Sequence, residues 1–520
     1  MEKIFYIESE VCYHMSIIRN VKIKRGDKVT FNNNAAYCIG TGRLNLALRH
    51  EYHKQLKKVQ KDISFDYIRG HGLFCDDMGI YNRYEHDGEM KTEYNFRYVD
   101  MVFDDYLSMG LKPFIELGFM PEELASGEQT IFWWKGNVTP PSDYDEWAAL
   151  IKATVRHWIS RYGADEVITW PMEVWNEPNL EAFWKDADME EYFKLYEVSV
   201  KAVKSVDSRI RVGGPAICGV DDERWLKCFL EFCSKNSVPL DFVTRHCYAT
   251  EPAEYIPHYA YQKLSPLDYI PNELNVSREI IDSFPAYKGM EMHITEYNTS
   301  YSPRNPIHDT NLNAAYVAHL LSVMGDTCAS YSYWTFGDVF EEQGIAFTPF
   351  SGCFGLLANG MIPKPTYWTY QFFSKLGETA VSRGDNYVVT KNSEETLSGV
   401  AWCTVDLDKQ ADEPDALFKF SFELDKGEYF LVKKLVDEVV CNPLKSWIDM
   451  GSPAYPKEPQ LAILRECAQP EVTTERISLD DDELKLELSL RSNAVCYFEL
   501  KKITPETDRG FIVEKIRGAL

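Results

Sequence analysis

Between about residue 35 and residue 340, short apolar runs rich in β-branched residues alternate with long stretches of helical periodicity. Eight such runs lie near 36–41, 65–71, 113–118, 171–177, 212–218, 242–248, 292–297 and 330–336. That alternation is the signature of βα units on a parallel sheet. Among the helical stretches, 95–109 sets Phe96, Val99, Phe103 and Leu107 on one face and stops at Gly110, a residue suited to a left-handed cap. The stretch 144–162 follows Ser142 and Asp143, either of which can cap it, and ends at Gly163. Stretch 189–206 repeats the pattern with Tyr192, Leu195, Tyr196, Val200 and Val203, and 312–324 ends at Gly325. Eight units are the count of a (β/α)8 TIM barrel. Periodicity alone also permits a doubly wound open sheet.

The texture changes after about residue 365. Segments 397–406, 416–424, 429–436 and 484–500 alternate apolar and polar positions without long helices between them. They predict an accessory antiparallel β-sandwich domain. Segments 4–13 and 17–31 are also strand-like and precede the first βα unit, so the N-terminus can complete that sandwich. The expected division is an α/β barrel over 15–345, with 1–14 plus 346–520 forming the accessory domain. There is no internal repeat, and the acidic run 480–483 reads as a solvated turn.

Composition narrows the partners. A formal charge of -25 repels nucleic acid and anionic membranes and favours a neutral or cationic ligand. No run approaches the roughly 18 apolar residues of a membrane span, and residues 1–6 lack the apolar core of a signal peptide. The 13 cysteines include no C-x-x-C pair. Cys228 and Cys233, the nearest two, lie on an expected helix at a spacing unsuited to zinc. Thiols used as small hydrophobes in a reducing compartment fit this pattern, so the expected location is cytoplasmic.

Barrel enzymes carry their chemistry at the C-terminal ends of the strands. Reactive side chains gather there. Strand two ends in Arg69-Gly70-His71-Gly72, strand four in Asn176-Glu177, strand six in His246-Cys247-Tyr248, and strand seven in Glu296. Strand eight ends in Trp334, followed by Asp338 and the pair Glu341-Glu342. Glu177 precedes a proline, which biases it toward extended backbone at a strand end. Glu296 follows the apolar run Met292-His293-Ile294-Thr295, where a carboxylate needs partners, with Arg69 and Arg245 the candidate cations. Two glutamates so placed suit glycoside hydrolysis, one as proton donor and the other as nucleophile or base.

Trp175-Asn176-Glu177-Pro178 and Thr295-Glu296-Tyr297-Asn298 resemble the retaining glycosidases of clan A. Further matches are Gly40-Thr41-Gly42-Arg43, Tyr67-Ile68-Arg69-Gly70-His71-Gly72, Tyr333-Trp334-Thr335-Phe336, Asp338-Val339-Phe340-Glu341-Glu342, Phe354-Gly355-Leu356-Leu357 and Pro363-Lys364-Pro365. With these, residues 38–370 resemble glycoside hydrolase family 39, the β-xylosidase type. The resemblance implies Glu177 as acid/base, Glu296 as nucleophile, and Asn176 as the partner of the sugar 2-hydroxyl. It also implies that Tyr248 donates to the nucleophile, and that His246, His71, Trp334, Glu341 and Glu342 bind substrate. Trp133-Trp134, in a long loop after strand three, either stacks on an aglycone sugar or covers hydrophobic surface.

One stretch departs from the family pattern. Ser351-Gly352-Cys353 stands where a His-Gly-Gly-like stretch is expected, in a loop that shapes the pocket floor and bears on glycone preference. The implied activity is release of D-xylose from β-xylosides, as in xylan degradation, by double displacement without metal or organic cofactor. Other glycones (arabinoside, galactoside, glucoside) and a catalytically weak carbohydrate-binding homologue remain as alternatives. An iduronidase is disfavoured, because Glu341-Glu342 would repel a uronic carboxylate. The substrate partner is a xylo-oligosaccharide or other glycoside. Homo-oligomerisation stays open, the tail 508–520 showing no clear dimer stripe.

Overall fold

A computed structural model describes residues 17–404, 416–506, 510 and 515. Eight parallel strands close into a barrel. In chain order, barrel strands one to eight are Cys38–Arg43, Tyr67–His71, Lys112–Leu117, Met172–Val174, Val212–Ile217, Phe242–Tyr248, Met292–Asn298 and Ser330–Tyr333. Strand eight pairs with strand one, Ser332 opposite Cys38, and this closure rules out the open sheet.

The helices lie where periodicity sets them. Tyr144–Tyr162 buries Trp147, Leu150, Ile151, Val155 and Trp158, an i, i+3, i+4 stripe. Its cap is Asp143, whose carboxylate accepts from the N–H groups of Asp145 and Glu146, while the Ser142 hydroxyl turns instead to the Leu124 carbonyl. Gly110 takes the left-handed conformation at φ +78°. Gly325 has a different reason to be glycine: a Cβ there would stand 1.9 Å from the Asn32 carbonyl oxygen, where two segments of backbone nearly touch.

The accessory module has two sheets. A six-stranded antiparallel sheet runs Thr379–Gly384, Tyr387–Ser393, Thr396–Trp402, Val495–Ile503, Gly427–Val436, Glu471–Leu479. Against it lies a three-stranded sheet of Ile17–Ile23, Ala416–Glu423 and Glu483–Leu490. Strict alternation puts Phe418, Phe420, Phe422, Leu484, Leu486 and Leu488 between the sheets.

Two boundaries move from expectation. Ile17–Ile23 belongs to the accessory sheet, where it pairs in parallel with Ala416–Glu423, so residue 15 does not begin the barrel. The eighth barrel helix is Pro365–Phe373, beyond residue 345, and packs on the preceding helix Asn311–Val323. The strand expected over 484–500 is a hairpin, turned at Arg491–Ala494 with Asn493 at φ +61°. The strand-like segment 4–13 and nearly all of the tail 508–520 lie outside the described residues.

Candidate active site

Strand four ends early, at Val174, because Trp175 and Glu177 both take left-handed backbone, φ +71° and +43°. The chain then turns onto strand five. The Glu177 N–H donates to the Ala216 carbonyl at 2.9 Å. Asn179 completes the attachment: its amide donates to the carbonyls of Cys218 (3.0 Å) and Val220 (2.6 Å) and accepts from the Cys218 N–H (3.2 Å). Trp175 is fully buried, donates its indole N–H to Phe183, and stacks edge-on against Trp184 and Phe119.

Glu296 is braced from below by Arg69, whose side chain is inaccessible to solvent. Arg69 Nη1 lies 2.7 Å from Glu296 Oε1, Nε 2.7 Å from Glu173, Nη2 2.9 Å from Glu116 and 2.9 Å from Asn176 Oδ1. Three carboxylates around one buried guanidinium offset its desolvation and hold its pKa above the ordinary arginine value. The other Glu296 oxygen accepts from Tyr248 Oη at 2.7 Å. Arg245, the second candidate cation, pairs with Asp222 at 2.8 Å instead.

The two glutamates meet. One oxygen of Glu177, one of Glu296 and a ring nitrogen of His246 lie within 4.8 Å of one another, at a cavity of about 630 Å³. Their environments differ. Burial first, and the Glu296 charge second, push the Glu177 carboxyl well above the ordinary range. Glu296 has a guanidinium and a phenol hydroxyl to stabilise its anion. His246 Nδ1 is 2.8 Å from Glu177 Oε1, and burial together with Arg69 drives this histidine well below its usual pKa, so it is neutral. Among the described residues these three side chains are also the group spaced to hold a cation. Their facing atoms are already engaged, by Arg69, Tyr248 and each other, so an ion would have to displace those donors.

His71, His246, Tyr248, Trp334 and Glu342 line the cavity with the two glutamates. His71 is held by Glu116 at Nδ1, 2.7 Å, and presents Nε2 3.5 Å from Glu296. Asn176 is oriented by Arg69 through its Oδ1, which leaves its amide nitrogen to donate. Burial and the two other carboxylates raise the Glu342 pKa well above normal. Glu341 does not line the cavity. Its carboxylate points into a clamp of Arg43 and Arg49, so only one member of the acidic pair faces a ligand.

Of the tandem tryptophans, Trp134 packs on Phe119 and Phe132 beneath Arg43, while Trp133 is exposed. Neither lines the cavity; Phe132 does. Ser351 and Cys353 sit beside a smaller hollow, and Cys353 backs Trp334, Phe340 and Phe354, so this loop reaches the cavity floor through its neighbours. Beneath the loop, Lys364 is wholly buried between Asp309 (2.7 Å) and Asp338 (2.8 Å) and donates to the Cys353 carbonyl at 2.6 Å. Burial raises Asp338 to about 7.

Sequence reading missed Glu116, Glu173 and Asn179. The two acids lie inside strands three and four, where an apolar run makes a carboxylate conspicuous, and that was the available signal. Asn179 carried none beyond its place after a proline.

A family model described as Glycosyl hydrolases family 39 matches residues 19–483. The chain is 47% identical over 493 residues to a beta-xylosidase of Geobacillus stearothermophilus, spanning 94% of this chain and 96% of that one. A beta-xylosidase of Caldicellulosiruptor saccharolyticus is 36% identical over 496 residues, 93% of this chain and 99% of its own. Among solved structures, a monomeric beta-xylosidase from Caulobacter crescentus CB15 matches with a TM-score of 0.86 at 32% identity, covering 94% of this chain and 100% of that one. On the extent of these matches, the chain belongs to glycosyl hydrolases family 39.

Proposed function

We propose that the protein is a retaining β-xylosidase releasing D-xylose from the non-reducing ends of β-xylosides, xylo-oligosaccharides among them. One observation carries the reading: an oxygen of Glu177 and an oxygen of Glu296 lie within 4.8 Å of each other at one cavity. Retaining enzymes hold their carboxyl groups about 5–5.5 Å apart, whereas inverting ones leave about 6.5–9.5 Å for a water. The substrate class rests on the near full-length likeness to beta-xylosidases.

Glu296 is the nucleophile. Its carboxylate attacks the anomeric carbon as the glycosidic C–O bond breaks, and Glu177 gives its proton to the leaving oxygen. Formation of the ester removes the Glu296 charge, one of the two main causes of the raised Glu177 pKa. Glu177 then ionises more readily and can take a proton from the water that cleaves the intermediate, so configuration is retained. Tyr248 and Arg69 stabilise the nucleophile as anion and leaving group. Asn176 is assigned to the 2-hydroxyl, and His71, His246, Trp334 and Glu342 to the rest of the glycone. Glu341 acts through the loop it anchors.

No helix of the described residues is long and apolar enough to cross a membrane. A cytoplasmic location is proposed on the cysteine pattern: ten of the twelve described are buried, as thiols packed as small hydrophobes would be, and the sequence holds no C-x-x-C pair.

A panel of nitrophenyl glycosides tests the enzyme and its glycone together, with β-xyloside expected to lead. Glu296→Gln should abolish turnover on every substrate. Glu177→Ala should spare the first step on activated aryl xylosides and be rescued by azide, giving the β-xylosyl azide. An active Glu296→Gln enzyme would overturn the nucleophile assignment, and an α-configured azide the retaining one.

A further inference from the structure

Strand five departs from regular geometry at one residue. Ala216 takes left-handed backbone, φ +55°, and the pairing with strand six shifts register between Pro215 and Ile217. A residue with a Cβ adopts that conformation only where its surroundings hold it. Two buried hydrogen bonds do so. The Ala216 N–H donates to Thr244 Oγ1 on strand six at 3.0 Å, and the Ala216 carbonyl accepts the Glu177 N–H at 2.9 Å.

The Thr244 hydroxyl also lies near the Glu173 carboxylate, where it favours the anion. Glu173 is fully buried, accepts from Thr295 Oγ1 at 2.7 Å, and pairs with Arg69 at 2.7 Å. Arg69 in turn holds Glu296. Hydrogen bonds therefore run from the Glu177 backbone through Ala216 to Thr244, and the ionic brace of Glu173, Arg69 and Glu296 lies beside them. Thr244 is fully buried and does not line the cavity, so it acts on substrate only through other groups.

We propose that Thr244 is a positioning residue for the reaction: its hydroxyl holds Ala216, the backbone anchor of the acid/base, and so fixes where Glu177 stands against the nucleophile. The proposal rests on the roles given above to Glu177 and Glu296. It places the sensitivity on the acid/base side, because Glu173 keeps Arg69 and Thr295 when Thr244 is changed, whereas the Ala216 N–H loses its acceptor.

The test is Thr244→Val, which keeps shape and removes the hydroxyl, beside Thr244→Ser, which keeps the hydroxyl. Each is assayed on aryl β-xylosides of graded leaving-group acidity and over pH. For Thr244→Val, kcat/KM on phenyl xyloside should fall roughly 10²-fold, the cost of misplacing a catalytic group by about an ångström. Dinitrophenyl xyloside, whose leaving group needs no proton, should keep its rate. The alkaline limb of the pH profile should move down, since a more distant Glu296 charge raises Glu177 less. Thr244→Ser should match the parent in both respects. An equal loss on all leaving groups with the limb unmoved would mean that Thr244 only packs, and the proposal falls. Glu177→Ala, run in parallel, separates the failures: if it shows no leaving-group dependence, the acid/base assignment itself is wrong. Should Thr244→Val not fold, Thr244→Ala against Thr244→Ser tests the same hydroxyl with the methyl absent from both.

Discussion

Glu177 is maintained at the expense of stability. Its folded pKa is raised, by burial and then by Glu296, so the folded protein binds its proton more tightly than the unfolded chain does. Stability from this group is therefore present at low pH and lost as pH rises from the unfolded value, about 4.3, toward the folded one. Glu177→Gln keeps the shape and removes the charge. It should raise Tm at pH 7 by roughly 1–2 °C, as ~1 kcal/mol corresponds to only about 1 °C in a chain this long. The gain should vanish below about pH 4 in calorimetry, and a gain that persisted there would show that ionisation is not its source. At this scale the sequence told a partial story. The two glutamates that meet at the cavity were legible because each falls near the C-terminal end of a barrel strand, and Arg69 because a cation had to answer Glu296. Glu341 and Glu342 were not separable, because their difference lies in Arg43 and Arg49, nearly 300 residues away in the chain. Thr244 looked like any β-branched strand residue.

The elements that carry the site also explain one of the motifs. A Cβ on Gly40 of strand one would stand 2.5 Å from the Trp334 ring and 2.9 Å from the Tyr333 carbonyl oxygen. Strand one must be bare there for Trp334 to lie across the barrel mouth, against His71 and over Arg69. Gly40→Ala should push the indole into the cavity. We expect KM to rise about tenfold and stability to fall by about 1–3 kcal/mol, read by initial rates and calorimetry; an unchanged KM would place the indole away from the sugar. The eight barrel strands were legible since buried parallel strands are apolar along their length. The hairpins Glu254–Ile256 with Tyr259–Tyr261, and Thr130–Ile131 with Gly136–Asn137, were not, being two or three residues long. Glu471–Leu479 escaped for another reason. It is an edge strand, exposed along nearly its whole length, and carries no alternation to detect.

Barrel and sandwich share one core, which decides how the whole molecule unfolds. The outer face of the six-stranded sheet contributes Val388, Val400, Trp402, Val495 and Tyr497 to the same buried cluster as the last barrel helix. Phe372 stacks on Tyr497 at 5.6 Å, Phe373 meets Trp402 at 6.2 Å, and Trp368 donates to the Ala468 carbonyl at 2.7 Å. Neither face could be left to water without exposing a contiguous apolar patch. Trp402 is fully buried in this seam, away from the residues lining the cavity. Trp402→Ala should therefore cost about 3–5 kcal/mol, lower Tm by roughly as many degrees, and leave kcat and KM on nitrophenyl β-xyloside unchanged. Calorimetry should show one endotherm in parent and variant alike, displaced as a whole, because the substitution weakens both modules together. Two endotherms of which only one moves would mean that the modules unfold independently, with the seam adding adhesion but no cooperativity.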